Sequence, residues 1–153
     1  MSNFTLIRPL LVIAVACACA PIAFAQKVDL GPKAVKPERL AHYWALDNSS
    51  VEADVPNMAR GIAQATCAAV SFIVESDGST SHVKVQKVEP ESQLRGIAES
   101  MGQHIRFNPT VDNMGRDRIF SWLIFPFNMP SDPDQRSAIM QPCALDTIAL
   151  KDR

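Results

Sequence analysis

The sequence predicts an α+β domain: a small three-stranded antiparallel sheet with helices packed on one face, in the order β-β-α-β. Three observations predict it. Residues Val70 to Val85, VSFIVESDGSTSHVKV, hold two apolar-rich runs around Asp77-Gly78, which is a hairpin signal. The apolar period then becomes helical at Leu94, Ile97, Ala98, Met101 and Ile105. A last run, Arg118 to Phe127 (RIFSWLIFPF), is apolar on both faces and reads as the third strand.

The chain opens with an address. Residues 1–25, MSNFTLIRPLLVIAVACACAPIAFA, carry one basic residue, Arg8, then an uncharged apolar run, then Ala23-Phe24-Ala25 before Gln26. That layout predicts a signal peptide cleaved after Ala25 and an exported, periplasmic protein. Two other readings stay open. One is retention as a membrane anchor: the uncharged stretch from Pro9 to Ala25 is 17 residues, at the short limit for a span, and contains Pro21. The other is lipid attachment at Cys17, where Ala14-Val15-Ala16-Cys17 makes a poor lipobox.

Cleavage leaves about 130 residues, enough for one domain with a real core and too few for two. Lys and Arg number 15 against 16 Asp and Glu, and loss of Arg8 makes the balance one unit more negative. Such a balance argues against a nucleic-acid binder, which carries a basic face. Cys17 and Cys19 leave with the leader. Cys67 and Cys143 remain, an even pair that an oxidising compartment would join, the alternative being two buried free thiols. A bridge closing so long a loop stabilises a fold by about 4–5 kcal/mol in the chain-entropy model.

The elements follow in order. Residues 26–36, QKVDLGPKAVK, have no period and hold Gly and Pro, so they read as a linker. Pro37 to Leu46 reads as a short helix, with Pro in its first turn and Leu40, Tyr43 and Trp44 on one face. A second short helix is expected near Pro56, running through Met58, Ala59 and Ile62, with Gly61 weakening it. Thr66 to Glu75 is the first strand; Val70, Phe72 and Val74 point one way, and Ala69, Ser71 and Ile73 the other. Ser81 to Val88 is the second strand. The helix then follows Pro90-Glu91-Ser92 and ends at Asn108-Pro109. Residues past Asn128 read as a Pro-containing tail carrying Cys143. The expected organisation is therefore 1–25 signal peptide, 26–50 linker with a short helix, 51–129 folded domain and 130–153 tail.

The run from Pro56 to Met129 resembles the C-terminal domain of the TonB energy transducers. The resemblance rests on Pro56…Ala59-Arg60-Gly61-Ile62, on Val70, Phe72, Val74 and Asp77-Gly78, and on Val83 and Val85. It continues through Ile97 and Ala98, Arg106-Phe107-Asn108-Pro109, Gly115 and Phe125-Pro126-Phe127-Asn128. It implies a fold and a binding mode. In that family a short peptide of an outer-membrane transporter pairs with the exposed edge of the last strand, main-chain hydrogen bonds giving affinity and side-chain pockets giving selectivity. Carried onto this sequence, the partner-binding edge is Arg118, Phe120, Trp122 and Ile124. The alternative is that so apolar a strand is covered by this chain or a second copy.

The sequence departs from the family in three places. Only about 30 residues separate the leader from the domain, reaching about 100 Å when fully extended. The glycine-rich entry to the first strand is Gln64-Ala65-Thr66-Cys67 here, and the tail is longer than the fold needs. In the family's sheet the end of the last strand lies near the start of the first, so a Cys67–Cys143 bridge is expected to pin the tail across that end and to cover part of the edge.

Little in the sequence points to catalysis, a cofactor or a metal. An Asp in a tight turn such as Asp77-Gly78 serves turn geometry. His42, His82 and His104 lack the spacing of a metal motif. The serines lack a nucleophile-elbow context. The expected function is thus a non-enzymatic, periplasmic protein-binding module that takes a protein or peptide partner, such as an outer-membrane transporter segment, by strand addition. The alternatives are a membrane-anchored TonB-type energy transducer and a structural homodimer.

Overall fold

The computed structural model describes residues 31–54 and 63–145. The leader and the helix expected near Pro56 lie outside the described residues. The strands are β1 (Lys33–Ala34), β2 (Trp44–Asp47), β3 (Thr66–Val74), β4 (Thr80–Glu89), β5 (Arg106–Pro109) and β6 (Ile119–Phe127). The α-helices are α1 (Pro37–Tyr43), α2 (Leu94–His104) and α3 (Pro133–Met140). The main sheet has four strands in the order β1-β6-β3-β4, and β2 and β5 form a separate antiparallel pair. The expected three-stranded sheet is therefore corrected: β3, β4 and β6 are its antiparallel core, and β1 adds a parallel fourth strand.

β3 organises the sheet. It lies between β4 and β6, and all nine of its residues are buried. Its alternation splits the interior in two. Ala68, Val70, Phe72 and Val74 enter the main core with Leu40, Trp44, Ala98, Ile105, Phe107, Ile119 and Phe125. Cys67 and Ala69 face the other way and form a smaller core with Cys143. Large side chains such as Phe72 and Trp44 are almost fully buried, each worth about 1.5–3 kcal/mol of transfer free energy. α2 approaches this main-core face closely because Gly102 has no side chain. A Cβ there would meet Val83 at 2.7 Å and Val70 at 3.0 Å.

Two register shifts mark the β3–β4 pairing, one of them between Ser71 and Ile73. Phe72 there faces an extra residue of β4, and His82 takes a φ of 51°. Histidine tolerates the left-handed region better than most residues, and one extra residue lets a strand bend without losing its neighbours.

The hairpin loop has a structural task. Asp77 accepts hydrogen bonds from the Ser79 N–H (2.9 Å) and hydroxyl (2.6 Å), which hold its carboxyl below the ordinary range. Gly78 sits at φ 84°, and its carbonyl accepts the Phe107 N–H at 2.9 Å. The turn is thereby clamped onto β5.

Residues expected to link the leader to the domain are part of its interior: Val35, Leu40 and Trp44 all enter the main core. The expected helix stops at Tyr43, and Trp44 begins β2 instead. Trp44 donates its indole N–H to the Asp117 carbonyl at 3.0 Å, which fixes the ring inward, and β2 pairs with β5 from Trp44 to Asp47. The four residues Arg106–Pro109, expected as the end of α2, form that partner strand.

The tail folds too. Asp132 caps α3 by accepting the Asp134 and Gln135 N–H groups, and Pro133 occupies its first turn. No α3 residue is buried. Cys143, by contrast, is buried and bonded to Cys67, with a Cα–Cα distance of 6.1 Å. The described part of the tail, residues 130–145, thus lies on the face away from α1 and α2, against β3 and β4.

Two outcomes are expected. Gly78→Ala places a Cβ 2.0 Å from the Phe107 carbonyl oxygen in a left-handed backbone. A loss of about 2 kcal/mol or more is expected from urea unfolding midpoints at unchanged slope. Joint replacement of Cys67 and Cys143 by Ala is expected to cost about 2–5 kcal/mol in the same measurement. Amide exchange in that variant should accelerate first in residues 129–145.

Candidate functional site

The outer edge of β6 is the site to build. Its sequence, IFSWLIFPF, suits a strand because β-branched and aromatic side chains pack well on a pleated surface. Pairing with β3 fixes which way each side chain points. Ile119, Ser121, Leu123 and Phe125 lie opposite Val74, Phe72, Val70 and Ala68 over the main core. Phe120, Trp122 and Ile124 lie opposite Ile73, Ser71 and Ala69 on the second face.

β1 shows which backbone groups face outward. The Lys33 N–H donates to the Arg118 carbonyl at 2.8 Å, and the Val35 N–H to the Phe120 carbonyl at 3.0 Å. By strand alternation the backbone groups of Trp122 and Ile124 point to that same outer side. β1 is paired only with Ile119 and Phe120. Among the described residues no strand pairs with Ser121–Phe127 on this side.

Local chemistry explains why β1 stops. Val35 is buried in the main core and Pro37 opens α1, turning the chain away from the edge. Lys33 donates a hydrogen bond to the Tyr43 hydroxyl, and its ammonium sits 4.6 Å from the centre of the Tyr43 ring. That contact ties β1 to the end of α1. At the other end, Pro126 lies opposite Cys67 with its missing N–H on the outer side, where a ladder with β3 does not need it. The stretch without a described partner is thus bounded by β1 and by Pro126.

The expected edge residues have different surroundings. Arg118 forks onto Glu75, Nε to Oε2 at 2.6 Å and a terminal nitrogen to Oε1 at 3.2 Å. The Arg118 fork, helped by the Ser81 hydroxyl, holds the Glu75 carboxyl below its ordinary value against the opposing effect of partial burial. Trp122 is 7% exposed, its side chain on the second face. Phe120 and Ile124 are half-buried. Asp77 and Gly78 belong to the clamp on β5. Cys67 and Cys143 form the bridge, with Ile124, Met129, Met140 and Leu145 packed around their small core.

Some contributors escaped the sequence reading. A two-residue strand such as β1 has no period to detect, and nothing pairs Lys33 with Tyr43 in advance. α3 did carry a signal, Asp132 followed by Pro133 and Asp134, which is a helix start. Among the described residues no three His, Cys, Asp or Glu side chains gather as metal ligands. No described helix is long and apolar enough to cross a membrane.

The Glu75–Arg118 fork makes stability pH-dependent. The folded state binds the Glu75 proton less well than the unfolded chain does. The fork's contribution is present above the unfolded value and is lost as pH falls through the lowered one. Glu75→Gln is therefore expected to flatten the decline in urea midpoint as pH falls below the ordinary glutamate range, about pH 4.3, relative to the parent chain.

No protein-family model matches the chain. No curated protein matches it either. Its fold is loosely similar to the solution structure of the TonB C-terminal domain of Pseudomonas aeruginosa, at 20% identity and a TM-score of 0.40. The match covers 58% of this chain and 89% of that one.

Proposed function

We propose that this chain is a periplasmic, non-enzymatic module that binds an extended segment of a protein or peptide along the outer edge of β6, between β1 and Pro126. One observation carries the reading: β6 is an apolar strand whose outer side, among the described residues, is paired only at Ile119 and Phe120. Strand addition there needs little rearrangement, because β3 and the main core already hold β6 in place. β1 already uses the same edge in the same manner, one step along. The export signal read from residues 1–25 supplies the proposed compartment.

The segment that fits is short. Outward-facing backbone groups at Trp122 and Ile124, with the Pro126 carbonyl beyond them, offer a ladder to about four or five partner residues. At about 1 kcal/mol net per hydrogen bond, such a ladder is weak alone, so side-chain contacts must add to it.

The test pans a phage-displayed library of random peptides against the disulfide-bonded chain. Ile124→Pro removes an outward N–H while leaving the ladder to β3 untouched, as Pro126 already does. Bound peptides are expected to slow amide exchange at Trp122 and Ile124. They should bind Ile124→Pro at least about tenfold more weakly, the equivalent of 1.4 kcal/mol. Peptides that bind both forms equally, or that protect neither amide, would overturn strand addition at this edge.

A further inference from the structure

We infer that the disulfide-bonded tail supplies the side-chain pocket of this edge, and that the partner places an apolar residue opposite Ile124. The inference rests on the strand addition proposed above and adds its chemical selectivity. Residues directly opposite each other on neighbouring strands point to the same face, their Cβ atoms about 4.5–5.5 Å apart. A partner residue opposite Ile124 therefore projects onto the second face of the sheet. Ile124 there belongs to the ring of apolar side chains around the Cys67–Cys143 bridge, with Met129, Met140 and Leu145. All four are half-buried, so the ring is closed toward β3 and retains exposed apolar surface.

The bridge anchors the tail to the sheet, while the tail's helix adds little burial of its own. α3 buries none of its residues, yet it is capped by Asp132 and held next to β3. Its last residue, Met140, packs on the bridge from one side, and Met129 packs there just past the end of β6. Methionine is unbranched and polarizable, so two of them accept apolar side chains of several shapes. The partner residues flanking that position project onto the first face, where α1 packs against β6 and Leu123 and Phe127 belong to the main core instead.

Sequencing the peptides selected above gives the first readout. An apolar residue at one fixed position, flanked by variable ones, is expected. The second readout is a double-mutant cycle. Replacing that peptide residue by Ser is expected to weaken binding about tenfold to the parent chain. The loss should be about twofold or less with a Met129→Gln, Met140→Gln variant, because the two changes remove the same contact. Both sites are half-exposed, and far-ultraviolet circular dichroism and the urea midpoint establish that the variant is folded. Selected peptides that are lost in Ile124→Pro but show no apolar position, or whose Ser replacement costs the same in both chains, would overturn the pocket while leaving strand addition standing. Absence of any peptide sensitive to Ile124→Pro would overturn both.

Discussion

The burial of β3 on both faces and both edges is the constraint from which the rest of this structure follows. A strand with a neighbour on each side must satisfy its backbone in two ladders, and one with side chains buried above and below must find two apolar interiors. The first interior comes from α1, α2 and β5. Among the described residues no comparable pair of helices covers the second face, and small residues, Cys67 and Ala69, meet the tail there. The bridge compensates for how little apolar surface the tail itself buries. A segment whose helix buries none of its residues is held through one covalent bond and a few apolar contacts.

Long periodic segments were legible in the sequence, and short ones were not. The hairpin strands and β6 matched their expected bounds to within one residue at each end. α2 began where Leu94 opened the 3.6-residue period, and ended at His104 rather than at Asn108. The errors lie where tertiary contacts override local preference. Trp44 continues the helical spacing of Leu40, yet the chain turns into β2 there, since the indole N–H finds the Asp117 carbonyl and β5 supplies a ladder. Arg106 to Pro109 reads as a fraying helix end for the same reason: its pairing partner lies about 60 residues away, beyond the reach of any local pattern.

The candidate edge was legible only in part. Apolar composition marked β6, but alternation alone could not say which residues turn their backbone outward. That came from the hydrogen bonds of β1. Arg118, expected to face a partner, is committed to Glu75 and serves to anchor the start of β6 beside the end of β3. The bridge expected to pin the tail across one end of the sheet is present, and the described part of the tail that it holds lies on a face there. The reason is parity: Cys67 points the same way as Ala69, away from the main core.

Pro126 has a consequence for crowding. If two copies met edge to edge, their β6 strands running antiparallel about Ile124, each Pro126 would face the other copy's Trp122 carbonyl with no N–H to offer it. A self-paired ladder would lose two bonds where a foreign strand loses one. Sliding the copies to escape this mismatch drives each into the other's β1. One imino acid thus makes this edge a poor template for its own kind, a safeguard against fibrous growth.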